Sequence, residues 1–258
     1  MSCTALPLDN ISDFNELLMK KLIKERIKRT SLYNRFIGIE ATQREILKGL
    51  IFNSTIADSE WLRYKNFSPG GAAVDFGFLY TMYRVLNSMK PRSIVEFGLG
   101  QSSKMVHQYA HYFHVDAVTY EHDSDWMRFF NEGRDGEYDI TVCLTELETI
   151  EYKGYETLTC KDIDKKLAGK KFDFVLVDGP FGSPHYSRSQ IVGIAKDNLK
   201  ERFCILIDDT ERVGEKEIIQ EIVDVLESNH IDYFMRTYIS SKNHTLICSA
   251  DMKFFTSL

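Results

Sequence analysis

The chain is poor in the features that would tie it to an oxidising compartment, a membrane or nucleic acid. Its five cysteines, Cys3, Cys143, Cys160, Cys204 and Cys248, are odd in number and contain no C-x-x-C pair. That pattern argues against a disulfide framework and fits a reducing cytosol. Cys143, Cys204 and Cys248 fall inside apolar, strand-like runs, where a free thiol behaves as a small hydrophobe. No window approaches the roughly 20 apolar residues that a membrane-spanning helix needs. Residues 1–10 lack the basic stretch and apolar run of a secretory signal, so a cytoplasmic location without a transmembrane segment is expected. Basic residues are not in excess: 32 Lys and Arg stand against 38 Asp and Glu, a formal net charge of -6. Nonspecific nucleic-acid binding wants a basic face, so no nucleic-acid partner is expected. There is no internal repeat and no low-complexity tract.

What is present is 258 residues, 43% hydrophobic and 27% charged, enough for one domain with an appendage. Residues 11–29 read as a helix that Ser12 or Asp13 can cap and that no Gly or Pro interrupts. It carries Lys20, Lys21, Lys24, Arg26, Lys28 and Arg29. Its apolar residues split between two sides, Phe14, Leu17, Leu18 and Leu22 against Met19, Ile23 and Ile27. A split face favours a packing or self-association helix over one that lies on a membrane. A second helix is expected over residues 41–52. The aromatics Trp61, Tyr64 and Phe67 follow, and Ser68-Pro69-Gly70-Gly71 then breaks the pattern. Residues 76–89 place Phe76, Leu79, Tyr80, Tyr83, Leu86 and Met89 at three- and four-residue steps, a third helix that Pro91 closes. A boundary is expected there, between a helical region over 1–90 and an α/β domain over 91–258.

From Ser93 strands and helices alternate. Strands are expected over 93–97, 115–120, 140–144, 172–177, 203–207, 232–239 and 245–249, with helices over 102–112, 124–131 and 215–228. Residues 145–159 suit an extra strand or a hairpin. Only residues 240–244 separate the last two strands, too few for a parallel crossover, so that pair must be antiparallel. The expected fold is α/β: a doubly wound, mostly parallel seven-stranded sheet with an antiparallel last strand and an N-terminal helical extension.

The stretch Ser93-Ile94-Val95-Glu96-Phe97-Gly98-Leu99-Gly100-Gln101-Ser102-Ser103-Lys104 organises this domain. Ile94 and Val95 suit a buried parallel strand. Gly98 and Gly100 leave no Cβ between the turn and a ligand, and Ser102 or Ser103 can cap the helix that follows. Such a turn presents a nucleotide-like molecule at the carboxyl end of the sheet. A dinucleotide loop would carry a third glycine where Ser103 stands. Glu96 before the turn suits a cationic ligand better than a pyrophosphate. Glu121, with His122 beside it, ends the second strand a little over 20 residues past Gly100, where a carboxylate can accept ribose hydroxyls. The adenine contact is expected from residues 144–155.

Asp178, Asp208 and Asp209 end two further strands that should converge on the same cleft. Gathered carboxylates repel one another, so such a cluster commonly holds a divalent cation or shares protons. Alternatively Asp208 and Asp209 cap a loop or hold Arg212. His185 follows on a loop where a general base for a hydroxyl could sit. Arg188 and Arg212 can clamp an anionic group or pair with the nearby aspartates. His107, His111 and His114 have helical spacing but no carboxylate partner and are not read as a metal site.

The runs VEFGLGQSSK, YEHD, FDFVLVDGPFG, Arg188 and LIDDTERVGEKE, in that order, resemble Class I S-adenosylmethionine-dependent methyltransferases. Within that class they are similar to sugar O-methyltransferases of the glucuronoxylan 4-O-methyltransferase type. The Asp208-Asp209 pair also resembles the macrocin O-methyltransferase type. The resemblance spans roughly residues 68–217. It implies S-adenosylmethionine as methyl donor, held by Glu96, Gly98, Gly100, Gln101, Ser102, Ser103, Glu121, His122 and Asp178. It implies Mg²⁺ or another divalent cation on Asp178, Asp208 and Asp209, and a carbohydrate acceptor in surface-polysaccharide biosynthesis. The catalytic residues it suggests are Asp178, Asp208 and Arg212. One departure concerns the base: the macrocin type has a second aspartate two residues after the first, and here that position is Pro180. His185 is the expected replacement. Two other readings stay open: a methyltransferase for a small or phosphate-bearing acceptor, and a noncatalytic nucleoside-binding subunit recruited to a glycosyltransferase complex through the N-terminal helices.

Overall fold

The computed structural model describes residues 19–21, 24, 26, 31–71, 73–133 and 141–258. The helix expected over residues 11–29, with its basic residues and its role in self-association, falls almost wholly outside them. Contacts divide the chain into two compact units, residues 1–44 and 45–258. Helix α1 (Ser31–Ile56) crosses that division, and Arg44 pairs with Glu40 along it.

The larger unit has α2 (Phe76–Met89), β1 (Ser93–Phe97), α3 (Gln101–Phe113), β2 (Asp116–Glu121), α4 (Ser124–Gly133) and β3 (Val142–Leu144). There follow β4 (Leu147–Tyr152), β5 (Tyr155–Cys160), α5 (Ile163–Leu167), β6 (Phe172–Val177), α6 (Gln190–Asp197) and β7 (Leu199–Ile207). The chain continues through α7 (Val213–Ser228), β8 (Tyr233–Ile239), β9 (Asn243–Ser249) and a 3-10 turn over Ala250–Ser257. Seven strands form one sheet in the order β3-β2-β1-β6-β7-β9-β8. The pairs among β3, β2, β1, β6 and β7 are parallel, and β9 runs antiparallel to both β7 and β8. This is the Rossmann-like methyltransferase fold that the alternation and the short last link predict.

Alternation along the strands sorts their side chains into two cores. Ile94, Phe174, Leu176, Cys204, Leu206, Leu246 and Cys248 point to one face, where Phe78, Met82, Leu86, Met105 and Tyr109 of α2 and α3 cover them. Val95, Phe97, Val175, Val177, Ile205, Ile207 and Ile247 point to the other, against Ile191 and Ile194 of α6 and Ile218, Ile222 and Leu226 of α7. Covered on both faces, β6 is buried at every residue. That is why residues 174–177 read as a continuous apolar run rather than an alternating one.

The first core also takes in Phe52, Ile56, Trp61, Leu62 and Val74. The expected boundary near residue 90 is therefore corrected: residues 45–89 are one layer of the α/β unit, because the apolar stripe of α2 is buried on the sheet. The undecided segment 145–159 is a separate two-stranded hairpin, β4 with β5, that turns at Lys153 and Gly154, both at positive φ. That pair is the backbone a two-residue hairpin loop requires. Helix α6 was not expected, and β7 starts four residues earlier than its apolar core predicts. Among the described residues no helix is long and apolar enough to cross a membrane.

Candidate functional site

Parallel strand order reverses between β1 and β6, and at such a point the connections leave in opposite directions and open a crevice at the carboxyl edge. Here the two strand ends touch through bare backbone. A Cβ on Gly98, whose φ is +94, would lie 2.9 Å from the carbonyl carbon of Asp178, and one on Gly179 would lie 2.7 Å from Gly98 Cα. Gly98 thus serves a close crossing of two loops. A Cβ on Gly100 would meet nothing within 4 Å, so its bare backbone borders open space.

The glycine loop is held by side chains on every side. Glu121, 4% exposed, accepts from Leu99 N at 2.9 Å through Oε2. Its Oε1 accepts from the backbone N–H groups of His122 and Asp123, at 2.6 and 2.8 Å, and lies 2.8 Å from His122 Nδ1. Trp126 Nε1 donates to Leu99 O at 2.6 Å. Ser103 Oγ accepts from Gly100 N at 2.9 Å, and Gln101 Oε1 accepts from Ser68 N at 3.0 Å. The expected ribose acid and its neighbour His122 therefore do lie at the rim of the glycine loop. Of the segment expected to meet adenine, Thr145 is beside them, its N–H donating to Glu121 O at 2.7 Å. Leu144 ends β3 opposite Glu121, and from Leu147 the segment leaves as the β4–β5 hairpin.

Glu96 is placed differently from the expectation. It is 1% exposed, beneath α3, and accepts from Ser102 Oγ and Thr119 Oγ1, each at 2.7 Å. Alternation along β1 sends it to the α3 face instead of the strand end. Burial pushes its pKa up to about 7, against the lowering effect of its hydroxyl partners. Glu96 and Ser102 thus brace the loop from below.

The three aspartates converge as expected, with a carboxylate oxygen of each within 4.8 Å of the others. Asp208 and Asp209 are buried; Asp178 is partly exposed. Burial pushes Asp178 up to about 6, moderated by Arg188 and Lys242. Burial, then the Asp178 and Asp209 charges, push Asp208 well above the carboxylate range. Cations crowd the same place. Arg188, 3% exposed, donates to Asp209 Oδ2 at 3.3 Å and to the carbonyls of Pro180 and Asp208, each at 3.2 Å. It pairs with the aspartates and ties the ends of β6 and β7 together; it is not free to clamp an acceptor. Arg212, half-exposed, lies 3.0 Å from Asp209 Oδ2. Lys242 Nζ lies 3.6 Å from Asp208 Oδ2 and 3.4 Å from Asp209 Oδ1. Burial works against this ammonium, but Asp208, Asp209 and Asp178 outweigh it and hold its pKa above the usual lysine range.

A divalent cation would draw its oxygen ligands from these carboxylates. Lys242 faces Asp208 Oδ2 and Asp209 Oδ1, and Asp209 Oδ2 faces two guanidinium groups, while both oxygens of Asp208 and Oδ1 of Asp209 are buried without a hydrogen-bond partner. The expected Mg²⁺ would lie among these oxygens, where the ammonium of Lys242 competes with it. His185 Nδ1 pairs with Glu217 Oε1 at 2.9 Å and its ring stacks on Tyr155 at 4.1 Å, so it is set against α7 and the hairpin. Tyr186, Arg188 and Asp209, round the cluster, have φ of 45, 63 and 59. Left-handed backbone at non-glycine residues gathers where surrounding structure enforces it, commonly at functional sites.

Sequence reasoning missed Leu99, Trp126, Phe181 and Lys242. Phe181, 68% exposed, meets the His122 ring edge to face at 4.8 Å and so projects over the strand ends. A cavity of about 660 Å³ lined by His107, His111, His114, Lys170 and Lys171 opens at the opposite, amino-terminal edge of the sheet.

No protein-family model matches the chain, and no curated protein does either. Solved structures share its outline. The SAH-bound methyltransferase PaMTH1 of Podospora anserina is 13% identical, aligned over 97% of this chain and 100% of its own, with a TM-score of 0.46. An O-methyltransferase from Bacillus cereus in complex with SAH is 12% identical over 80% of this chain and 90% of that one, at 0.41. A methyltransferase from Pyrococcus furiosus is 12% identical over 79% and 96%, also at 0.41. At such scores these likenesses carry no weight of their own; the strand order and the crevice do.

Proposed function

We propose that this chain is an S-adenosylmethionine-dependent O-methyltransferase that methylates a hydroxyl of a carbohydrate. The observation that carries the reading is the union of the glycine loop with Glu121 at the reversal between β1 and β6. It offers bare backbone at Gly100, an acid at the position that takes ribose hydroxyls, and an aromatic rim of Trp126 and Phe181. The sulfonium of the donor supplies an electrophilic methyl group. Methyl transfer needs chiefly that donor and acceptor be held close and in line, which is proximity catalysis. Asp178 borders the glycine loop through the Gly98–Gly179 crossing and is the one aspartate of the three that is partly exposed. With its pKa pushed up to about 6 it would take the acceptor hydroxyl proton, and a donor held at the glycine loop and Glu121 would supply the methyl group and keep the S–CH₃ electron pair on sulfur. Half-exposed Arg212, anchored by Asp209, would orient an acceptor hydroxyl beside it, with buried Asp208 behind.

The carbohydrate acceptor and a place in surface-polysaccharide assembly rest on the resemblance of the DGPFG and IDDTER runs, together with exposed Phe181, since aromatic faces suit the C–H face of a sugar ring. A reducing, cytoplasmic setting accords with Cys143, Cys160, Cys204 and Cys248 all being free thiols. Titration calorimetry with S-adenosylhomocysteine tests the donor half. Saturable binding below millimolar ligand is expected, and none at millimolar ligand would overturn it. Mass analysis of glycan and phosphorylated acceptors after incubation with S-adenosylmethionine tests the other half; methylation of phosphorylated acceptors alone would replace the sugar reading.

A further inference from the structure

The aspartate cluster at the ends of β6 and β7 contains its own cation. We propose that Lys242 takes the place of a divalent metal at Asp178, Asp208 and Asp209, so that this site works without one and Lys242 is its positioning residue. Three observations support this. First, Nζ lies within 3.6 Å of two of the three carboxylates and is itself mostly buried; it also donates to Ala73 O at 3.0 Å, which fixes its direction. Second, the residue is built into place. The carboxylate of fully buried Asp75 accepts from Phe78 N at 2.8 Å as the N-cap of α2, and through Oδ2 from Lys242 N and Ser241 Oγ, each at 3.0 Å. A Cβ on Gly77 would lie 2.8 Å from Ser240 Cβ, so helix and hairpin turn are packed to contact. Third, β9 enters the sheet beside the end of β7, with Thr210 N donating to Asn243 O at 2.8 Å. The residue before β9 therefore cannot avoid the cluster.

A divalent ion on the same oxygens would face this ammonium at close range in a buried setting, where like charges repel strongly. Either the lysine leaves or the metal stays out, and the fixed turn favours the second. The inference rests on geometry alone and stands whether or not the chain binds a methyl donor.

Mn²⁺ binding to the full-length protein, followed by electron paramagnetic resonance without any nucleoside, tests it. The wild-type chain is expected to leave Mn²⁺ free at millimolar ion. Lys242→Met is expected to gain a site, at least about tenfold tighter than wild type because a like charge is gone. Asp208→Asn in that background should abolish the site, and Lys242→Arg should behave as wild type. A folded Lys242→Met chain that gains no Mn²⁺ affinity overturns the proposal. Should Lys242→Met fail to fold, wild type against Asp208→Asn decides. Stoichiometric Mn²⁺ binding by wild type that Asp208→Asn removes overturns the proposal, and no Mn²⁺ binding by either supports it.

Discussion

Glu121 Oε2 accepts the N–H of Leu99 at 2.9 Å, so the acid that ends β2 and the loop that follows β1 form one hydrogen-bonded unit. The shape of the loop therefore depends on this carboxylate, and in the proposed function so does nucleoside binding. Glu121→Ala is expected to weaken S-adenosylhomocysteine binding by at least about tenfold, since a hydrogen bond to a charged group is worth about 1.5–3 kcal/mol. Calorimetry reads the effect directly; wild-type affinity in the variant would remove Glu121 from the site.

Gly98 and Gly179 make the second testable contact. Gly98→Ala combines a positive φ with a 2.9 Å approach to the Asp178 backbone, where nothing flexible can give way. A loss of about 2–3 kcal/mol is expected from the strain, seen as a lower urea midpoint together with lost nucleoside binding. Gly100→Ala, with open space above it, should keep its midpoint and lose only binding.

Buried Glu96 gives a pH signature. Its folded pKa, about 7, lies above the unfolded carboxylate value, so its contribution to stability is full below about pH 4.5 and is lost as pH rises through 7. Glu96→Gln should accordingly gain on wild type by up to about 3 kcal/mol between about pH 4.5 and 8. His244 runs the other way. Burial holds its folded pKa down to about 4, so its contribution is present above about pH 6.5 and lost as pH falls through 4. Urea midpoints across this range should change with opposite slopes in Glu96→Gln and His244→Gln.

Asp75 joins the start of α2 to the turn that carries Lys242. Asp75→Ala should cost about 2–4 kcal/mol, from a lost N-cap and from donors left without an acceptor. Thermal unfolding measures the loss. A variant as stable as wild type would show that solvent replaces the carboxylate at both ends.

The sequence alone determined the class of fold. Continuous apolar runs such as residues 174–177 report strands covered on both faces, and a link as short as 240–244 permits only an antiparallel pair. It also showed that Glu121, Gly98, Gly100, Asp178, Asp208 and Asp209 share one edge of the sheet, because strand ends in such a fold converge there. Direction and pairing of side chains were decided by tertiary structure. Glu96 lies one residue from the strand end, yet alternation buries it under α3 with Ser102 and Thr119. His185 sits on the right loop but is turned aside by Glu217, a partner 32 residues away. Lys242 was legible only as a turn residue. Its charge reaches the aspartates because β9 is inserted beside β7, and pairing between distant strands is settled by the packing of the whole sheet.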